Sequence, residues 1–172
     1  MNLLPLPMQE SEGLVGPEID WSGLSPLLVL LSAGILLLLA GALIPRGLPR
    51  GMYATVTAGS AIATGVLLFV QWSSTVHDGP RALVKDVLVI DGPSVFIGMA
   101  ICAALALAAC ITDSYLRRED LDGPEVYGLY LLAALGGLVM AGSNDLIVLF
   151  LGLETLSIAL YVLAASHRKR IE

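Results

Sequence analysis

Five apolar runs constrain this chain more than anything else in it: residues 24–44, 52–72, 93–112, 124–141 and 145–165. At about 1.5 Å of rise per residue, a helix over each run covers most or all of a roughly 30 Å hydrocarbon core. Inside hydrocarbon every backbone N–H and C=O must find a partner within the protein, so single apolar runs of this length fold as helices. The 172 residues are 56% hydrophobic and 14% charged, far from the soluble globular average. Five spans consume most of that length. The fold class predicted is an all-α polytopic membrane protein with no soluble domain.

The breaks between runs carry their own signals. An acidic, Gly- and Pro-rich tail covers residues 1–23; up to Asp20 it has no Lys or Arg and four acids (Glu10, Glu12, Glu18, Asp20), so it does not read as a signal peptide. The bundle then occupies residues 24–172. The first run stops at PRGLPRG, where Pro45 and Pro49 end the helix and Arg46 and Arg50 anchor it. The second carries a small-residue stripe, Ala54, Ala58, Ala61 and Gly65, suited to close helix packing, and ends at Trp72, an interfacial aromatic. Residues 73–92 form the one sizeable polar connection. His77-Asp78-Gly79-Pro80 signals a turn and LVKDVLVI a β-branched run, so a short outer β-hairpin on the membrane face is predicted.

Pro93 suits the first turn of the third helix, which is followed by a charged loop, DSYLRREDLDG. Pro124 and Glu125 open the fourth, and Gly136-Gly137 lets a neighbour approach it closely. Ser143-Asn144 joins the last two helices so tightly that they must be antiparallel neighbours. Seven of the nine basic residues (Arg46, Arg50, Arg117, Arg118, Arg168, Lys169 and Arg170) then share one face, against Arg81 and Lys85 on the other. The positive-inside rule makes that face cytoplasmic, with the N-terminus outside and the C-terminus inside.

Within residues 145–165, one acidic or basic side chain follows the opening Asp145, and it is Glu154. Nine residues past Asp145, it lies about 14 Å along the helix, near the bilayer midplane. An ionised carboxyl group there costs on the order of 3 kcal/mol unless paired or neutral. Ile147, Phe150, Leu151, Ser157, Ile158 and Tyr161 share its face, and Ser157 and Tyr161 offer hydroxyl partners. Two readings stay open: a proton-carrying carboxyl group, or a neutral acid hydrogen-bonded between helices. Hydrocarbon favours the protonated form of any carboxyl group and a nearby cation the ionised one, so a site balanced between them can exchange a proton. Contact with lipid alone would be too costly.

Other candidates are weaker. Asp145 suits the positive end of its helix dipole better than a ligand role. His77 and His167 lie in opposite loops, His167 near the cytoplasmic mouth. Tyr115, Tyr127 and Tyr130 read as interfacial or packing aromatics. Cys102 and Cys110 lie eight residues apart in one run, about 12 Å of helix, so they do not pair, and without a CxxC they suggest no metal site. No Walker, GxGxxG-after-strand, HExxH or GxSxG pattern supports nucleotide binding or hydrolysis, and no basic patch with aromatics supports nucleic-acid binding.

The stretch SNDLIVLFLGLETLSIALYVLAA closely resembles the fifth membrane helix of subunit N of the proton-pumping NADH–quinone oxidoreductase, respiratory complex I. The whole chain resembles the N-terminal third of that subunit. Related L and M subunits and the Mrp-type sodium/proton antiporters keep a glutamate at the position of Glu154, but the LFLGLE…LS…LYVL pattern is similar to the N branch. The resemblance implies an antiporter-like membrane-arm subunit. In it Glu154 pairs with a lysine of a later helix and couples charge movement to proton translocation. NADH, FMN, iron–sulfur clusters and quinone then belong to partner subunits, and the M-type and small K- and J-type membrane subunits are neighbours in the inner membrane. The pairing lysine is not encoded here, since Lys85 and Lys169 lie at the two membrane edges. The chain is therefore expected to be either a piece of a longer reading frame or a truncated form. An Mrp-type antiporter subunit and a non-pumping membrane remnant are the alternatives.

Overall fold

The computed structural model describes residues 19–44, 51–85, 87–119 and 124–166. Five helices, α1 (Trp21–Leu43), α2 (Met52–Asp78), α3 (Gly92–Glu119), α4 (Pro124–Ala141) and α5 (Leu146–Ser166), enclose two short strands, β1 (Arg81–Val84) and β2 (Leu88–Ile90), between α2 and α3. All five helices are long and apolar enough to cross a membrane. Three of them begin at the hairpin end, and each starts on an aspartate that accepts otherwise orphaned amides. Asp20 Oδ1 takes Ser22 N at 3.0 Å and Gly23 N at 3.1 Å. Asp145 Oδ1 takes Ile147 N at 2.8 Å. Asp91 and Ser94 exchange bonds, Ser94 N to Asp91 Oδ1 at 2.8 Å and Asp91 N to Ser94 Oγ at 2.9 Å, a reciprocal cap.

Helix ends depart from the ends of the apolar runs. α2 continues past Trp72 to Asp78, and α3 past Thr112 to Glu119, so the start of the polar connection and much of the charged loop are helical. Neither SSTVHD nor DSYLRRE contains Gly or Pro, and polarity by itself does not stop a helix. Gly79 does: it closes α2 at φ 84°, a backbone conformation that side chains disfavour, with its amide on Thr75 O at 3.0 Å. At the other end α1 starts at Trp21, three residues before the apolar run, because Asp20 caps it there. Residues 1–18, 45–50, 86, 120–123 and 167–172 fall outside the described residues, and with them the acidic tail up to residue 18, Arg46 and Arg50, the end of the charged loop, and the basic residues after Ser166.

Helices α1 to α4 form a ring, α1 on α2, α2 on α3, α3 on α4 and α4 back on α1. Its interior holds Leu30, Leu37, Ala61, Cys102, Leu105, Leu131 and Leu138, with Tyr53 stacked on Tyr127 at 6.4 Å between ring centroids. The small-residue stripe of α2 faces inward, with Ala54 and Ala61 buried. Tyr130 reaches across to α3, its hydroxyl 3.1 Å from Thr112 Oγ1.

The antiparallel hairpin pairs Arg81 with Ile90, Ala82 with Val89 and Val84 with Leu88, with an irregularity between Ala82 and Val84. Its outer edges are not left open. Asp20 N donates to Leu83 O at 2.9 Å on one side, while Val89 N donates to Gly142 O at 2.8 Å and Asn144 N to Val87 O at 3.0 Å on the other. Backbone pairing thus ties the start of α1 and the α4–α5 connection to one ribbon, satisfying strand edges that would otherwise need partners. Leu83 and Ile90 point from it into the core.

Candidate functional site

Helix α5 is placed by α4, with which it makes its extensive contact. At their crossing the two backbones touch. A β-carbon on Gly136 would lie 2.7 Å from Gly152 O and 2.7 Å from Leu156 N, and one on Gly152 would lie 2.9 Å from Gly136 O. Only glycine permits that approach. Along α5 the buried residues are Gly152 and Ala159, seven apart on one stripe.

Glu154 comes two residues after Gly152, a turn of about 200°, which carries it to the opposite face. It sits near the middle of the 21-residue helix and is exposed. Around it Ile147, Phe150, Leu151, Ile158 and Tyr161 are exposed as well, and Ser157 is half-buried. Glu154, Ser157 and Tyr161 therefore line one side of α5, the side turned away from α4. No hydrogen bond joins either hydroxyl to the carboxyl group, and no described residue forms an ion pair with Glu154. Lys85 is in the hairpin turn, at φ 44°, and does not approach the middle of α5. His77 lies in the last turn of α2; His167 is outside the described residues. Cys102 is buried and Cys110 exposed, both as free thiols. No group of three or more His, Cys, Asp or Glu side chains gathers as a metal site among the described residues.

A second polar feature went unread in the sequence. The buried face of α2 carries Thr57, Thr64, Gln71 and Thr75. Thr57 Oγ1 and Thr75 Oγ1 donate to the carbonyls of Tyr53 and Gln71, each at 2.9 Å. Gln71 crosses to α1, its Nε2 donating to Ser22 O at 3.1 Å and Gly23 O at 3.3 Å. Pro26 accounts for the pairing: it has no N–H, so the Ser22 carbonyl four residues earlier lacks its helical donor, and the Ser25 hydroxyl at 2.7 Å and Gln71 Nε2 donate in its place. The available signal was the seven-residue spacing of Thr57, Thr64 and Gln71, together with a proline inside an apolar run.

No family model matches the chain. Over 154 residues it is 31% identical to the NADH-quinone oxidoreductase subunit N of Trichlorobacter lovleyi, covering 90% of this chain and 30% of that protein. It is 33% identical over 173 residues to subunit N 1 of Sorangium cellulosum, covering 90% and 32%. To subunit N 2 of Roseiflexus castenholzii it is 34% identical over 152 residues, covering 87% and 29%. The chain thus spans about 30% of the length of these curated relatives. With five membrane-type helices and a hairpin between the second and third, the chain matches NADH-quinone oxidoreductase subunit N over nine-tenths of its own length and about 30% of that subunit's.

Proposed function

We propose that this chain is part of a membrane-arm subunit of a proton-translocating NADH–quinone oxidoreductase, and that Glu154 is a proton-carrying group within it. The observation that carries the reading is the placement of one carboxyl group at the middle of a membrane-type helix, on the face that α4 does not cover. A carboxyl group at that depth needs a polar or cationic neighbour. Since no described residue bonds to it or forms an ion pair with it, the missing cation would belong to protein packed on the outer face of α5. The resemblance supplies a candidate, a lysine on a later helix of the full-length subunit. In the resemblance, such a carboxyl–lysine pair couples charge movement to proton transfer, and Glu154 would be its acidic half. Ser157 and Tyr161, on the same face, would orient the carboxyl group or pass its proton on.

In this reading the chain itself binds no redox cofactor. NADH, FMN, iron–sulfur clusters and quinone are handled by partner subunits, and the M-type and small K- and J-type subunits are its membrane neighbours. In this reading the positive-inside rule supports a hairpin end that is outside and an opposite end that is cytoplasmic. The names of the relatives favour this redox-linked role over a sodium/proton antiporter of Mrp type.

The test is Glu154→Gln in the full-length subunit, with NADH-driven proton uptake measured in inverted membrane vesicles. An assembled variant complex is expected to lose tenfold or more of its proton uptake. Wild-type uptake by an assembled variant would sink the proton-carrying role, and failure to assemble would favour a structural one.

A further inference from the structure

We infer that the half-open cavity between α1, α2, α3, α4 and the hairpin is a binding site for ordered water, anchored on Gln71 Oε1. The cavity measures about 40 Å³ and is lined by Gly23, Pro26, Leu68, Gln71, Leu83 and Ser94, among others. A buried water needs about 10–15 Å³ of such space, so two or three fit.

Volume alone would not hold water, because a cavity lined only by aliphatic groups stays dry. Gln71 makes the difference. The residue is 8% exposed, and its Oε1 has no hydrogen-bond partner among the described residues. The orientation of the amide is fixed by chemistry. Its nitrogen faces two backbone carbonyls, Ser22 O and Gly23 O, which accept from an NH₂ group and would repel an oxygen. The Oε1 atom is therefore held as an acceptor on a side chain that lines the cavity, and an acceptor left without a donor in a low-dielectric interior is costly.

Ser94 supplies a second contact. Its hydroxyl donates to Asp91 O at 2.9 Å and accepts from Asp91 N at 2.9 Å, which uses its proton and one of its two lone pairs. A water donating one proton to Gln71 Oε1 has the remaining lone pair of Ser94 as a second acceptor. The hairpin borders the site through Leu83 and Ile90, and both hairpin edges are stitched to neighbouring backbone. Thr64 Oγ1, seven residues deeper on α2, also lacks a partner, but it does not line the cavity and no water is assigned to it. The inference does not depend on the proton-pumping reading of Glu154.

X-ray hydroxyl-radical footprinting in ¹⁸O-labelled water tests it, applied to the full-length subunit in its assembled complex. Radicals generated from bound water oxidise the side chains beside it. Leu68 and Leu83, which line the cavity and are 6% and 4% exposed, are expected to take up ¹⁸O at least fivefold faster than Leu105 and Leu37, which are 6% and 3% exposed but do not line it. In an assembled Gln71→Leu variant that excess should disappear. A high-resolution density map of the unaltered complex gives a second reading, with a water peak expected within hydrogen-bond distance of Gln71 Oε1. Labelling of Leu68 and Leu83 no faster than of Leu105 and Leu37, an excess that survives Gln71→Leu, or an empty cavity in a map that resolves other buried waters would each overturn the proposal.

Discussion

Helices α4 and α5 are joined by a short connection and are both apolar, yet they live in different surroundings. In α4, 39% of the span is buried, against 11% in α5, although α5 is the more hydropathic of the two. The inversion has a physical cause. Lipid tails are as apolar as a leucine core, so hydropathy does not tell the interior of a membrane bundle from its surface. What marks the interior here is small and polar residues: Gly136 and Gly137 in α4, and Thr57, Thr64 and Gln71 in α2. On α5 the bulky side chains face outward, and the one acid stands among them.

The largest expected effect separates the two helices directly. Leu131 of α4 is 0% exposed in the core and Ile158 of α5 is 57% exposed. Leu131→Ala should lower the unfolding free energy of the chain by about 2–4 kcal/mol through lost packing and the cavity left behind. Ile158→Ala in the same chain should change it by less than about 0.5 kcal/mol. Reversible unfolding in mild detergent or bicelles measures both. Equal losses would break the comparison, because they would mean that α5 is as embedded as α4.

A subtler pair sharpens the α4–α5 contact. A β-carbon on Gly136 meets backbone atoms of α5 at 2.7 Å, whereas one on Gly137 meets the far end of the Ile101 side chain at 3.0 Å. Backbone cannot yield without separating the helices, while a terminal methyl group can rotate away. Gly136→Ala should therefore cost about 1–3 kcal/mol and Gly137→Ala less than about 1 kcal/mol. The same unfolding measurement decides it, and a reversed order would show that the crossing lies elsewhere.

Much of this was legible in the sequence because membrane physics leaves few options. Five apolar runs matched five helices, Pro93 fell in the first turn of the third, and Asp145 stood at the N-terminus of the fifth. The hairpin was legible from its turn residues and β-branched run. What the sequence hid were properties that depend on a neighbour. The lengths of α2 and α3 were hidden because a helix leaving the membrane continues until a glycine or proline stops it. The tie between Pro26 and Gln71 was hidden because the two are far apart in sequence and meet only when α1 packs on α2. For Glu154, the periodicity correctly grouped Ile147, Phe150, Ser157 and Tyr161 on its face, but no periodicity says which way a face turns. That was decided by the Gly136–Gly152 contact on the other side of the helix.

The smallest expected effect concerns the hairpin end, where backbone stitching and caps act together. The Ser22 hydroxyl and the amides of Gly23 and Ser22 all donate to Asp20, holding its carboxyl group below the ordinary value of 3.8. A carboxyl group with a lowered folded-state pKa contributes its full stabilisation above the unfolded-state value and loses it as pH falls through the folded-state value. Because the group is partly solvated, the contribution belongs at the low end for caps, about 0.5 kcal/mol. Asp20→Asn keeps a capping oxygen but removes the titration. Stability measured from pH 6 down to pH 2.5 should therefore fall further in the unaltered chain than in the variant, with the two curves converging at the acid end. Parallel curves would mean that the start of α1 is held by its backbone bond to Leu83 and not by the charge on its cap.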